Sequence, residues 1–374
     1  MNRLNQSRDL GNPPVKFRLR LVNRFIAMFL VGLGLSATLA ACNAALNSRT
    51  ASDSASPAQD AEAVTLTLVS YAVTQAAYEQ IIPKFAAQWK AEHNQDVVFD
   101  QSYGGSGSQT RAVIDGLEAD VVALALALDI QKIEQAGLID PGWESQAPNS
   151  SIVHRSVAAL VTREGNPKGI KGWADLAKND IQVITANPKT SGGARWNFMA
   201  LWGAITQTGG NDAKALEFTT QVFRNVPVLP KDARESTDVF FKQGQGDVLI
   251  NYENEVLLAR QKGKNLPYVV PTDVNISIDN PVAVVDANVE KHGTREVAEA
   301  FVNYLFTPEA QAEFAKVGFR PVDPSVAETY ASQFPQVNKL FTVQDMGGWD
   351  KVQSEFFDDG ATFDKILAEV GKQG

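Results

Sequence analysis

Four short stretches of this sequence combine small residues, hydroxyls and glycines in the way that anion binding requires. They are Ser70-Tyr-Ala-Val-Thr74, Gly104-Gly-Ser-Gly-Ser108, Pro188-Lys-Thr-Ser-Gly-Gly-Ala194 and Lys231-Asp-Ala-Arg-Glu-Ser-Thr237. Each stands where a predicted helix begins, and the first N–H groups of a helix have no intrahelical acceptor. Those donors, together with the helix dipole, attract anions. Gly104, Gly105, Gly107, Gly192 and Gly193 let an anion approach the backbone closely. Taken singly, each stretch reads equally well as a plain capped turn. Four of them in one chain point to a shared use.

Other chemistries lack their parts. A phosphate-cradling nucleotide loop needs GxxxxGK[ST], which neither glycine-rich stretch supplies, and no GxGxxG follows the first strand. Ser106 and Ser191 sit in no GxSxG elbow, and His93, His154 and His292 form no triad pattern. A secreted hydrolase acting through Ser191 remains the enzyme alternative, and it lacks an adjacent base. With one Cys and three His in 374 residues, a disulfide framework and a Cys- or His-rich metal site are both excluded. A formal net charge of −9 argues against nucleic acid. The reading is therefore a binding protein, not an enzyme, with no cofactor.

These segments must be positioned by regular elements. Val64–Leu68 alternates apolar and polar residues as a half-buried strand does. A helix follows with Tyr78, Ile81, Ile82, Phe85 and Trp89 on one face, and Pro83 within it predicts a kink or a restart. Further strands are predicted at 96–100, 120–128, 157–162, 182–186, 247–251, 268–271 and 281–285. Helices are predicted at 111–117, 193–205, 213–223, 236–243, 295–306 and after Pro308. Strands and helices that alternate over this length predict parallel sheets in two α/β domains. Ligands of such sheets bind beyond the carboxyl ends of the strands, where the four stretches lie.

The amino terminus differs from the rest. Residues 1–41 hold six basic residues and one acid, against 28 basic and 42 acidic residues in the remainder. Phe25–Ala41 is an uncharged apolar run of 17 residues after a basic stretch, as in a secretory signal. It falls short of the ~20 residues of a comfortable membrane span. The lone cysteine, Cys42, follows Leu39-Ala40-Ala41, a string similar to a bacterial lipobox. Ordinary cleavage, or an uncleaved anchor with Cys42 incidental, are the alternatives. Residues 42–63, rich in Ala, Ser and Asp, read as a flexible tether.

In this order the segments resemble the periplasmic sulfate-binding proteins of bacterial ABC transporters. The matching strings are VSYAVTQAAYEQ (69–80), DQSYGGSGSQ (100–109), GLEADVVALALALD (116–129), EGNPKGI (164–170), ANPKTSGGARWNF (186–198), GDVLINYENE (246–255), YLFTPEAQ (304–311) and FTVQDMGGW (341–349). The resemblance implies a type II periplasmic-binding-protein fold. Two α/β lobes joined by crossing strands would close on one dehydrated anion in the cleft between them. Lobe boundaries are expected at 64–155 plus 285–374 and at 156–284.

The resemblance also implies a ligand set. Backbone N–H groups of Ala72, Ser106, Gly192, Gly193 and Ala233 donate, as do the hydroxyls of Ser191 and Tyr252. Enteric members carry Asp where this chain has Ala72 and an indole where it has Tyr252. Thiosulfate binders similar to the family carry Phe at the latter position, so sulfate and thiosulfate both stay open. Asp232 and Glu235 replace small residues, and an acid beside a dianion costs affinity unless it points away or Arg234 holds it. Lys189 and Arg195 are expected to serve fold or closure. The implied partners are the sulfate or thiosulfate anion and the permease subunits of the membrane transporter. The implied setting is a periplasmic monomer tethered by lipid at Cys42. A sensory receptor without transport is a further alternative.

Overall fold

The computed structural model describes residues 61–265 and 267–371. The apolar run 25–41, Cys42 and the tether as far as residue 60 lie outside the described residues. The first strand, Ala61–Tyr71 (β1), takes in the last three residues of the expected tether. Gln75–His93 (α1) buries Tyr78, Ile81, Ile82, Phe85 and Trp89, the predicted face. Pro83 lies inside α1 and the helix does not restart there. A proline forfeits one ladder bond, and the buried aromatics on both sides of it hold the two halves together.

The chain continues through Gln95–Gly104 (β2), Ser106–Ile114 (α2), Val121–Ala123 (β3), Ala127–Gln135 (α3), Ile152–Ser156 (β4) and Ala158–Thr162 (β5). Then come Val183–Ile184 (β6), Gly192–Thr206 (α4), Asp212–Arg224 (α5), Ala233–Phe241 (α6), Val248–Tyr252 (β7) and Glu253–Gln261 (α7). Tyr268–Val269 (β8), Asn275–Ile276 (β9), Ile278–Val284 (β10), Arg320–Pro321 (β11) and Leu340–Phe341 (β12) complete the strands. Two expectations are corrected here. Helix α2 starts five residues before 111 and ends at Ile114, after which Leu117 N–H turns back to Ala112 O at 2.8 Å. The apolar run 120–128 is buried throughout, save half-buried Ala127, but is a strand over only three residues. At Ala125 the backbone leaves the ladder. Its N–H is taken by Ser106 Oγ (3.0 Å) and its carbonyl by the Trp196 indole (2.8 Å) and the Asn280 amide (3.1 Å).

The strands form a six-stranded sheet, β11-β4-β10-β3-β1-β2, and a four-stranded sheet, β6-β7-β5-β8, with β12 beside β9. The sheets are mixed, not parallel as predicted. β1 runs parallel to β2 and β3, and β6 to β7, but β10 is antiparallel to β3 and β4, and β5 to β7 and β8. The cause is the crossing of the chain between sheets. Only Val157 separates β4 from β5, and only Ser277 separates β9 from β10. A strand that passes straight into the next sheet has no crossover helix to bring it back parallel. The crossings are pinned to each other by the Asn275 side chain, which donates to Ala158 O (2.9 Å) and accepts from Ala158 N (3.2 Å).

Residues 340–371, grouped with the first lobe from sequence, pack on α4 and α5. Phe198 of α4 meets Phe356 and Phe357 at 5.5 and 5.3 Å, Trp196 meets Trp349 at 4.9 Å, and Phe223 of α5 meets Phe363 at 5.5 Å.

His154 of β4 is buried between Phe314 and Phe319, at ring distances of 4.6 and 4.0 Å. Burial pulls its pKa down from 6.5 to about 3. Between those values the unfolded chain binds a proton that the folded chain refuses, so stability falls as pH drops through that window. His292 has the opposite sign. Hydrogen bonds to Asp120 (2.8 Å) and Glu118 (3.0 Å) raise its pKa, so its contribution is full below about 6.5 and is lost as pH rises through the folded value. Replacing His154 by Leu is expected to shrink the fall in thermal midpoint between neutral pH and about pH 4. Midpoints measured across that range check it, and an unaltered pH slope would discount His154 as the source.

Candidate functional site

The four stretches meet. Tyr71, Ala72, Val73, Gly104, Gly105, Ser106, Ala125, Ser191, Gly192, Gly193, Asp232, Ala233 and Tyr252 line one small cavity. All seven residues expected at the site are therefore together. The walls stand close together, leaving about 10 Å³ open inside, far below the ~300–1,000 Å³ of a drug-sized pocket.

Local sequence explains the donors. Gly105 caps α2, so Ser106 is its first residue. Ser191 caps α4, and its Oγ accepts from Ala194 N at 3.3 Å. That bond fills an acceptor position on the hydroxyl and leaves its proton to donate. Gly192 and Gly193 follow, with first-turn N–H groups that the cap leaves unused. Asp232 caps α6 by accepting from Glu235 N at 2.8 Å, which leaves Ala233 as its first residue. Ala72 begins a short 3-10 turn, 72–74, at the end of β1.

Side chains close the cavity. Tyr252 ends β7, only 2% exposed, and its hydroxyl has no hydrogen-bond partner among the described residues. A Cβ built on Gly193 would stand 2.7 Å from Tyr252 Cε2 and 3.1 Å from its hydroxyl oxygen. Only glycine there lets the phenol lie against the head of α4. Burial first, then the carboxylates of Asp129 and Glu255, push the Tyr252 pKa well up, so the phenol keeps its proton.

None of the lining residues is Arg or Lys. Arg195 is buried behind the cavity. Its Nε donates to Pro188 O at 2.9 Å and its guanidinium faces Asp129 at 3.5 Å. Asp129 in turn accepts from Ser106 Oγ at 2.6 Å. Lys189 reaches away to the chain end, to Phe357 O at 3.1 Å and Asp364 at 2.9 Å. Neither cation is among the cavity-lining residues, and both are engaged by groups of the surrounding fold.

Two points depart from the sequence reading. Asp232 is among the residues that line the cavity, and its carboxylate is taken up in capping α6. Neither it nor Glu235 is held by Arg234, which forms a two-pronged pair with Glu255 at 2.8 and 3.0 Å. Backbone N–H groups hold them instead: Glu235 N for Asp232, and Lys231 N for Glu235 at 2.8 Å. The sequence reading also missed Tyr71, Ala125 and Asp129. For Asp129 the signal was present, since it is the charge that ends the apolar run 121–128.

The chain matches the family described as bacterial extracellular solute-binding protein over residues 66–320. It is 64% identical over 308 residues to a sulfate-binding protein of Synechocystis, covering 82% of this chain and 88% of that one. It is 47% identical over 309 residues to the sulfate-binding protein of Escherichia coli, covering 82% and 94%. A thiosulfate-binding protein of Escherichia coli is more distant, 38% identical over 305 residues, covering 80% and 90%. Among solved structures, the sulfate-binding protein SubI of Mycobacterium tuberculosis superimposes with a TM-score of 0.73 at 39% identity, covering 79% of this chain and all of that one. A cavity ringed by helix starts, on a fold shared with these relatives, places the chain plainly: it belongs to the bacterial extracellular solute-binding proteins.

Proposed function

We propose that this chain captures sulfate outside the cytoplasm and delivers it to the permease subunits of an ABC transporter. The observation that carries the reading is the convergence of three helix starts, at Ser106, Gly192 and Ala233, on one small cavity whose wall holds no cation. Sulfate is a dianion without protons at neutral pH, so it accepts hydrogen bonds and donates none. Five backbone N–H groups (Ala72, Ser106, Gly192, Gly193, Ala233) and two hydroxyls (Ser191, Tyr252) suit it. The sulfate-binding relatives stand at 64% and 47% identity and the thiosulfate binder at 38%, which favours sulfate.

The jaws of this receptor are a lobe on the six-stranded sheet, residues 61–155 and 285–339, and a lobe on the four-stranded sheet, residues 156–284 with the tail 340–371. Ser106 and Ala72 belong to the first, and Ser191, Gly192, Gly193, Ala233 and Tyr252 to the second. The anion bridges them, and the permease reads the closed shape. The receptor acts as a monomer, held near the membrane by lipid on Cys42.

Calorimetric titration of dialysed protein with sulfate, thiosulfate, phosphate and molybdate tests the reading. Sulfate is expected to bind tightest, with little change between about pH 5 and pH 9, because the ligand does not titrate there. Phosphate binding tightly where sulfate binds weakly would overturn it.

A further inference from the structure

Tyr71 is among the residues that line the cavity, and its ring lies between those of Tyr252 and His154. It is the last residue of β1, held in register opposite Gly104 of β2, one residue before the cap of α2. Its ring centroid is 6.0 Å from that of Tyr252, tilted by 43°, and the residue is 4% exposed. Its hydroxyl oxygen is buried with no hydrogen-bond partner among the described residues, as is that of Tyr252. A buried polar group left in that state is costly, by roughly 1–3 kcal/mol. It persists where another interaction repays it.

We infer that Tyr71 is a second phenolic donor to the captured anion and helps to set which oxyanion the cavity accepts. Three observations converge: the hydroxyl is unpartnered, the residue lines the cavity, and its neighbour across the wall is another unpartnered phenol. Lack of a partner alone does not single it out. Tyr78 also has an unpartnered hydroxyl, but it packs against Phe301 and Phe314 at 6.3 and 5.8 Å and touches no part of the cavity wall. Burial, then the nearby Tyr252, pushes the Tyr71 pKa well above that of an ordinary phenol, which keeps the hydroxyl a donor throughout the neutral range. A tetrahedral dianion has four oxygens with several lone pairs each, so an eighth donor finds an acceptor. A hydroxyl can also turn about its C–O bond to aim its proton at a displaced acceptor. The pair therefore tolerates a rotated or longer oxyanion better than a single fixed donor.

The inference rests on the sulfate reading above, and the test separates the two. Tyr71→Phe deletes one oxygen and leaves the ring. Sulfate affinity is measured by calorimetry for the parent, Tyr71→Phe and Tyr252→Phe, and thermal midpoints are measured without ligand. Parent protein that fails to bind sulfate sinks the sulfate reading itself. If the parent binds, Tyr71→Phe is expected to weaken binding roughly ten-fold or more, the scale of a hydrogen bond to a charged acceptor. The ligand-free midpoint should hold or rise, since an unsatisfied buried oxygen has gone. Affinity within about two-fold of the parent, or a lowered ligand-free midpoint, would show a hydroxyl with a structural partner and overturn the inference.

Discussion

Gly192→Ala is expected to weaken sulfate binding by at least about a hundred-fold while the protein still folds. A Cβ at that position would stand 2.6 Å from Ala125 Cβ, 3.1 Å from Ser106 Cβ and 3.2 Å from Leu126 Cγ. Those atoms belong to the six-stranded side, whereas Gly192 begins α4 on the four-stranded side. The methyl group therefore disturbs neither sheet; it props the two sides apart. Propping separates Ser106 and Ala72 from the other donors, and losing even two bonds to a charged acceptor costs about 3 kcal/mol or more, a hundred-fold in affinity. Gly105→Ala is the mirror experiment. Its Cβ would meet Thr190 O at 2.6 Å and Lys231 O at 3.3 Å, again across the cleft. Calorimetry reads the affinity, and small-angle scattering with sulfate present reads the shape. Full-strength binding by both variants would mean that closure does not bring these surfaces together.

Arg195→Ala should be the most damaging side-chain change near the site, although Arg195 does not line the cavity. Asp129 is 1% exposed and Arg195 is 5% exposed. Removing the guanidinium leaves the carboxylate buried with only Ser106 Oγ as a hydrogen-bond partner among the described residues. Breaking a buried pair in this way costs roughly 3–5 kcal/mol, and the 3.5 Å separation, without a hydrogen bond between the charges, argues for the lower end. The same change frees Pro188 O and with it the loop that carries Ser191. Denaturant unfolding should register the loss in ligand-free protein, and titration should show weaker sulfate binding on top of it. Arg195→Lys keeps the charge but cannot reproduce the Nε bond in the same geometry, so it should recover part of the stability. An Arg195→Ala protein as stable as its parent would refute the account of Asp129 as a charge in need of a partner.

That helices begin near Ser106, Gly192 and Ala233 is legible in the sequence for a local reason, although the predicted helices 111–117 and 236–243 start five and three residues late. Glycine, serine or aspartate just before an apolar periodic run is a cap signal, and caps are decided within a few residues. The burial of 121–126 and of 128 is legible for the same kind of reason, but its conformation is not. Whether Ala125 stays in a ladder depends on Ser106, Trp196 and Asn280, which come from three distant parts of the chain. Sheet direction escapes likewise. The run 157–162 reads as a strand, yet nothing within it says that Val157 is a bridge between sheets or that β5 will face β7 head to tail. Asp129 reads as the end of a strand until Arg195 is placed beside it. The fate of Asp232 and Glu235 is a middle case. Their spacing fits a cap, but the choice between the two alternatives, turned away or held by Arg234, is not local, because Glu255 of another helix takes Arg234.

On the proposed reading, most of the grip on the anion comes from peptide nitrogens at positions 72, 106, 192, 193 and 233. Inheritance can rewrite every side chain at those positions without deleting a single one of those donors, proline excepted. Diversification of such a receptor toward new oxyanions must then proceed by crowding, tilting or screening a fixed array. On the same reading, the hydroxyls at 191, 252 and 71 are where a lineage can adjust its preference one atom at a time.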